Sequence, residues 1–493
     1  MRQISHVVGG KTRITTGRSA PVFNPASGEE IATVGFADVA LIDEVVALAR
    51  SAATAWGNAT LAQRTSVLFR FRQLLLDHSD ELAEIITQEH GKTHADALGE
   101  LSRGIETVEY ACGLSEHLKG SFSSQVADGV DVHSLREPVG VIVAVTPFNF
   151  PAMVPLWMTS NALAAGNAII VKPSERDPST TVRLAELLKE AGLPDGVFSV
   201  VHGNADTVMT LITHADIDAV SIVGSTPVAQ AIYQAGTAAG KSVQALGGAK
   251  NHMVVLPDAD LDVAADAAIN AGYGSAGERC MAISVVVAVG DIADELVDKI
   301  ATRTDALRVG PGSDPTSDFG PIITGHQRDK IADYVIQAPR HGITVVRDGT
   351  DLCSRPGFFI GPSLLDHVTP GTPAYDDEIF GPVLCVVRVE DYAAAVRVVN
   401  ANRYGNGVAI FTRDGNTARL FTKQVTVGMI GVNVPIPVPV ASYSFGGWKD
   451  SLFGHAHIYG PEGMGFYTRS KVITTRWPSA SESQIDLGFP RSR

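Results

Sequence analysis

Four short apolar runs, residues 139–145, 167–171, 197–201 and 218–223, recur with helical stretches between them. Each is too apolar to leave one face in water, which marks strands buried on both faces of a parallel sheet. The stretches between them carry helix patterns over 152–165 and 179–191, the second closed by Gly192. Repeated β/α units of this length dictate an α/β fold with a doubly wound parallel sheet. Ligands are expected in the crevice at the carboxyl ends of its strands. A further run, 242–248, continues the rhythm, and a second α/β region follows to about residue 427.

Around this frame, apolar residues at helical spacing predict helices over 38–55, 62–90 and 95–118, the last carrying Arg103. Residues 121–137 alternate around Asp128-Gly129, a hairpin signal. The alternating run 466–475 is expected to pair with that hairpin. A hairpin set apart from helices and sheet reads as an oligomerisation arm.

The ends of the predicted strands carry groups that suit a dinucleotide. Gly224-Ser225-Thr226-Pro227 opens a helix, with Thr226 expected as N-cap and Pro227 as first helical residue. Free N–H groups there would receive a pyrophosphate. Lys172 and Glu175 follow another strand, placed for the hydroxyls of an adenosine ribose. A carboxylate there repels a 2′-phosphate and favours NAD over NADP. No Gly-x-Gly-x-x-Gly pattern occurs, which disfavours an ordinary Rossmann dehydrogenase.

The chain also holds a candidate nucleophile. In Gly274-Ser-Ala-Gly-Glu-Arg-Cys280, small residues leave the sulfur unshielded, and Arg279 beside it is expected to favour thiolate. The plain alternative for Cys280 is a small buried hydrophobe.

Charge and cysteine usage exclude several classes. The net charge of −14 argues against nucleic-acid binding. The four cysteines have no CxxC spacing, so neither a structural metal nor a disulfide framework is expected. No signal-peptide core and no membrane-length apolar run is present, so a cytoplasmic protein without membrane partners is expected.

Seven motifs then stand in order: Thr146-Pro-Phe-Asn-Phe-Pro151, Lys172-Pro-Ser-Glu175, Val223-Gly-Ser-Thr226, Leu246-Gly-Gly248, Gly277-Glu-Arg-Cys280, Glu378-Ile-Phe-Gly-Pro-Val383 and Phe445-Gly-Gly-Trp-Lys449. With them the chain resembles the aldehyde dehydrogenase superfamily over nearly its whole length. Gly248-Ala-Lys-Asn-His252, Val434-Pro-Ile-Pro-Val-Pro439 and Gly465-Phe-Tyr-Thr-Arg-Ser-Lys471 make it most similar to the CoA-acylating methylmalonate-semialdehyde dehydrogenases. The resemblance implies an NAD-binding domain from 1–120 and 138–250, with 431–465 returning to it, and a catalytic domain from 251–430. It implies an arm from 121–137 and 466–485, and a homotetramer or homodimer. It implies Cys280 as nucleophile and Asn149 as oxyanion donor. Thr146, Phe148, Lys172, Glu175, Gly224, Ser225, Glu378 and Phe380 fall at the cofactor, and Arg103 and Arg279 grip a substrate carboxylate. NAD and coenzyme A are the implied cofactor and co-substrate, with no metal.

One position departs from the hydrolytic members of the superfamily. They carry a glutamate before Leu-Gly-Gly that activates water, and here Ala245 stands in its place. A CoA thiolate needs less help than water, so an acylating reaction is expected. The alternatives are a hydrolytic semialdehyde dehydrogenase and a non-catalytic binding protein on the same fold.

Overall fold

The computed structural model describes residues 2–478 and residue 485 of the 493. Its first large sheet has eight strands, in the order Leu452–Phe453, Ser242–Leu246, Ala219–Val223, Val141–Val145, Ala168–Lys172, Phe198–Val200, His6–Val8 and Lys11–Arg13. The five from Ser242–Leu246 to Phe198–Val200 pair in parallel, and the edges are antiparallel. Every residue of Val141–Val145 and Ala168–Lys172 is buried, which is why those runs carry no polar face.

Strand order reverses at Val141–Val145. The chain steps outward through Ala168–Lys172 to Phe198–Val200, then returns to the other side for Ala219–Val223 and Ser242–Leu246. The switch point therefore lies between Val141–Val145 and Ala219–Val223, and Thr146 and Gly224 follow those two strands. That is where a doubly wound sheet opens a crevice.

The second sheet has seven strands, in the order Thr344–Arg347, Ser363–Asp366, Val383–Val389, Ile283–Val289, Asn251–Val255, Gly407–Phe411 and Met429–Val432. It is parallel except at the Thr344–Arg347 edge. The chain leaves the carboxyl end of Ser242–Leu246 and, with four residues between, enters the amino end of Asn251–Val255. Cys280 precedes Ile283–Val289 and Glu378 precedes Val383–Val389, so both stand at the amino edge of the second sheet.

Three expected boundaries are corrected. The helix expected over 62–90 is two, Leu61–Asp77 and Ser79–His90, broken at His78. Both pieces pack on the neighbouring helices His94–Cys112 and Ser179–Glu190, and the second buries Leu82 and Ile86. The helix expected over 95–118 stops at Cys112, before Gly113. Ser225, not Thr226, occupies the N-cap of the helix Thr226–Ala238, and the Thr226 hydroxyl instead accepts the N–H of Gly248 at 3.0 Å.

The hairpin Phe122–Ala127 and Val130–Pro138 is joined by Thr468–Arg476, which pairs antiparallel from Thr468↔Pro138 to Arg476↔Val130, as expected. The part of the expected arm at 479–484 lies outside the described residues. Among the described residues, no helix is long and apolar enough to cross a membrane.

Candidate active site

Cys280 is presented by a strained turn. The helix Leu261–Tyr273 ends, and Ser275, Ala276 and Gly277 take left-handed φ values of 53°, 52° and 73°. Two non-glycine residues in that region store backbone strain of the kind that collects at active sites. Gly277 is required, since a Cβ there would stand 2.2 Å from the carbonyl oxygen of Gly381. The turn thus packs directly against the loop that carries Phe380. Asn251 and Asn406 donate to the Cys280 carbonyl at 2.9 and 3.1 Å and hold the main chain in place.

The sulfur is partly buried, and that burial pushes its thiol up to about 12, with the Glu378 carboxylate adding to the rise. The N–H groups of Cys280 and Met281 and the Arg279 charge act in the opposite direction and are outweighed. The expectation that Arg279 makes a ready thiolate is therefore corrected. Its guanidinium is paired with Asp96, so little of its charge is left for the sulfur.

Asn149 is buried, and its side-chain amide donates to the carbonyl of Glu278 at 3.0 Å, two residues before Cys280. An amide nitrogen carries two protons, which leaves one for a ligand. The backbone of Asn149 is held by Lys92, whose ammonium also meets Glu100 at 2.7 Å. The other oxygen of Glu100 accepts from Ala152 and Met153, where the helix Met153–Ala165 begins. Lys92, Glu100, Asn251 and Asn406 were not foreseen, because nothing in their spacing links them to partners 29 to 126 positions away.

A cavity of about 190 Å³ opens beside the sulfur. Lys92, Asp96, Glu100, Arg103 and Arg279 supply its charge, and Phe150, Met153, Trp157 and Phe445 its apolar wall. Arg103 meets Glu106 at 2.5 Å and the carbonyl of Pro439 at 2.6 Å. Cys280 and Arg279 also line a second, narrow space with Asn251, Glu378 and Phe380. The sulfur stands where the two meet.

Thr226, at the crevice of the first sheet, and Glu378, on the wall of that second space, both lie against Gly248, where a Cβ would stand 2.9 and 2.3 Å from them. The helix Thr226–Ala238 has no side-chain cap, so its first N–H groups are free for an anion, beside Gly224 and the exposed Ser225. Lys172 holds Glu175 at 3.3 Å and the Gly203 carbonyl at 3.2 Å. The Thr146 hydroxyl is buried without a partner. Phe148 meets Phe380 edge to face at 5.9 Å. Glu378 accepts from the N–H of Ala249 at 2.9 Å, and burial pushes its carboxyl up to about 7. An uncapped helix end, an unused hydroxyl and a Lys–Glu pair along one sheet edge fit a dinucleotide. Ala245, fully buried in the core with Ile222 and Ile232, brings no polar group.

The profile of the aldehyde dehydrogenase family matches residues 13–473. The chain is 52% identical to malonate-semialdehyde dehydrogenase of Pseudomonas aeruginosa, over 99% of this chain and 100% of that protein. It is 45% identical to malonate-semialdehyde dehydrogenase 2 of Geobacillus kaustophilus, over 97% and 99%. Among solved structures, the methylmalonate-semialdehyde dehydrogenase from Oceanimonas doudoroffii superposes with a TM-score of 0.96 at 50% identity, covering 98% of this chain and 99% of that one. An NAD+ complex of aldehyde dehydrogenase from Bacillus cereus gives 0.92 at 27% identity, covering 96% and 97%.

Proposed function

We propose a function from one premise: the chain belongs to the aldehyde dehydrogenase family. It oxidises a short aldehyde bearing a carboxylate, malonate or methylmalonate semialdehyde, with NAD, and passes the acyl group to coenzyme A. The products are acetyl-CoA or propionyl-CoA, with loss of CO2 or bicarbonate. The observation that carries this reading is the place of Cys280, between a cavity with two arginines and a narrow space lined by Glu378 and Phe380. The names of the relatives, malonate- and methylmalonate-semialdehyde dehydrogenases, support the substrate class.

In this reading Arg103 and Arg279 orient the substrate carboxylate, a task suited to the guanidinium fork. The Cys280 sulfur, once deprotonated, adds to the aldehyde carbon. The Asn149 amide and the Cys280 backbone N–H hold the oxygen that becomes negative, and such donors are worth roughly 3–4 kcal/mol each to the barrier. Bound along the crevice, NAD would supply the hydride acceptor. Lys172 and Glu175 meet its adenosine ribose, and Thr146, Phe148, Gly224 and Ser225 line its path. Glu378 and Phe380 stand at the nicotinamide ribose. The acyl group is left as a thioester on Cys280.

A carboxylate β to that thioester can then leave as CO2. The electron pair of the broken C–C bond passes into a thioester enolate, held by the same two donors, and a proton completes the acyl group. The CoA thiol takes the acyl group from Cys280. Ala245 offers water no base, which favours the thiol. The three-stranded arm, with Phe122, Leu135 and Val472 exposed, would join subunits into a dimer or tetramer.

The test is product analysis with NAD and malonate semialdehyde, with and without CoA. NADH formation that depends on CoA, with acetyl-CoA detected by mass, is the expected outcome. An equal rate without CoA, giving malonate, would replace this reading with the hydrolytic one.

A further inference from the structure

Three cations line the substrate cavity, and each already has a protein carboxylate. Lys92 is paired with Glu100, Arg103 with Glu106 and Arg279 with Asp96. The three pairs sum to zero charge, so a carboxylated substrate entering the cavity meets no uncompensated cation.

The pairs differ in how tightly they are built in. Lys92 and Glu100 are sealed from solvent, and Glu100 also caps two N–H groups. Arg103 and Glu106 clasp the cavity wall, Arg103 through the Pro439 carbonyl and Glu106 through the Ala441 N–H at 2.9 Å. Exchanging either pair would open buried or wall contacts. The Arg279–Asp96 pair has no such anchor. Its side chains are 24% and 22% exposed, and among the described residues neither makes a second side-chain hydrogen bond. Arg279 therefore keeps unused N–H donors. The guanidinium also lies against bare backbone, since a Cβ on Gly274 would stand 2.6 Å from its Nη1. It lines the cavity, five residues after that glycine and next in sequence to the sulfur.

Resting on the substrate class proposed above, we infer that Asp96 is a specificity-determining residue: it competes with the substrate carboxylate for Arg279. An arriving carboxylate becomes the second anion on one guanidinium, and the cavity goes from neutral to a net charge of −1. A neutral aldehyde of similar size carries no such penalty. Asp96 thus sets how strongly the site prefers carboxylated aldehydes, without contacting the reacting atoms.

The experiment measures KM for malonate semialdehyde and for propanal in the wild type, Asp96→Asn and Asp96→Glu, at saturating NAD and CoA. In Asp96→Asn the ratio of the carboxylated to the neutral KM is expected to fall roughly fivefold, the scale of one partly exposed charge interaction. Asp96→Glu, which keeps the anion, should stay near the wild-type ratio. A ratio that is unchanged or that rises in Asp96→Asn would overturn the inference, since Asp96 would then only steady Arg279. Inhibition of propanal oxidation by propionate gives a second readout, with its Ki expected to fall by the same factor in Asp96→Asn. If the wild type fails to oxidise malonate semialdehyde, the proposed substrate falls, while the propionate result still decides the role of Asp96.

Discussion

The ammonium of Lys92 donates to the backbone carbonyl of Asn149 across 2.6 Å, with Lys92 only 1% exposed. The same ammonium sits 4.5 Å above the ring of Phe150 and meets Glu100. Asn149, the proposed oxyanion donor, is thus positioned through its own main chain by a buried ion pair.

Removing that cation should loosen the donor and strand a buried carboxylate. Lys92→Met is predicted to lower stability by about 3–5 kcal/mol, the cost of breaking a buried pair from one side. It should also lower kcat at least about tenfold through misplacement of Asn149. Pairing it with Glu100→Gln should recover part of the stability. Thermal unfolding of both variants checks this, and a double variant no more stable than the single would refute it.

The thiol of Cys280 is predicted to be slow to ionise in the absence of cofactor. With its pKa pushed up to about 12, the thiolate fraction rises roughly tenfold per pH unit across pH 7–10, with no plateau. Iodoacetamide labelling should follow that slope. Bound NAD, by drawing Glu378 toward its ribose, should speed labelling at pH 8. Cys280→Ala should bind NAD and form no NADH; a plateau near pH 8.5 without cofactor would show an ordinary thiol.

Glu278 gives a stability prediction of definite sign. Burial pushes its carboxyl from 4.5 up to about 8. The folded protein therefore holds a proton that the unfolded chain releases, and stability falls as pH rises from about 4.5 to 8. His90 faces it at 3.9 Å and is kept neutral by burial, so it supplies no compensating charge. Glu278→Gln should shrink the loss of Tm between pH 5 and 8. Parallel Tm curves for variant and wild type would contradict this.

Glu175 is predicted to hold the cofactor preference. Glu175→Ser removes the carboxylate that would face a 2′-phosphate and leaves Lys172 free to meet one. The kcat/KM with NADP should rise roughly tenfold relative to that with NAD. No change in the ratio would place the discrimination elsewhere.

The parts legible in the sequence were those whose cause is local. Runs such as 139–145 and 167–171 must be strands because only a sheet covered on both faces can hide that much branched apolar surface. The pairing of 466–475 with the hairpin followed from alternation on both partners. Helix ends were less legible. Nothing near His78 breaks a helix by itself, yet the chain divides there into Leu61–Asp77 and Ser79–His90, whose buried residues share one core.

The site divided along the same line. Cys280, Asn149 and Glu378 could be found because short motifs mark the turns that carry them. The sequence alone thus determined the fold class, the family and the residues that meet at the centre. Tertiary structure alone decided their state. Arg279, adjacent to the sulfur in sequence, spends its charge on Asp96, 183 residues away, and burial then sets the thiol. Lys92 reaches Asn149 across 57 residues of chain. Charge compensation and desolvation depend on which groups meet and how much water is excluded, and linear order specifies neither.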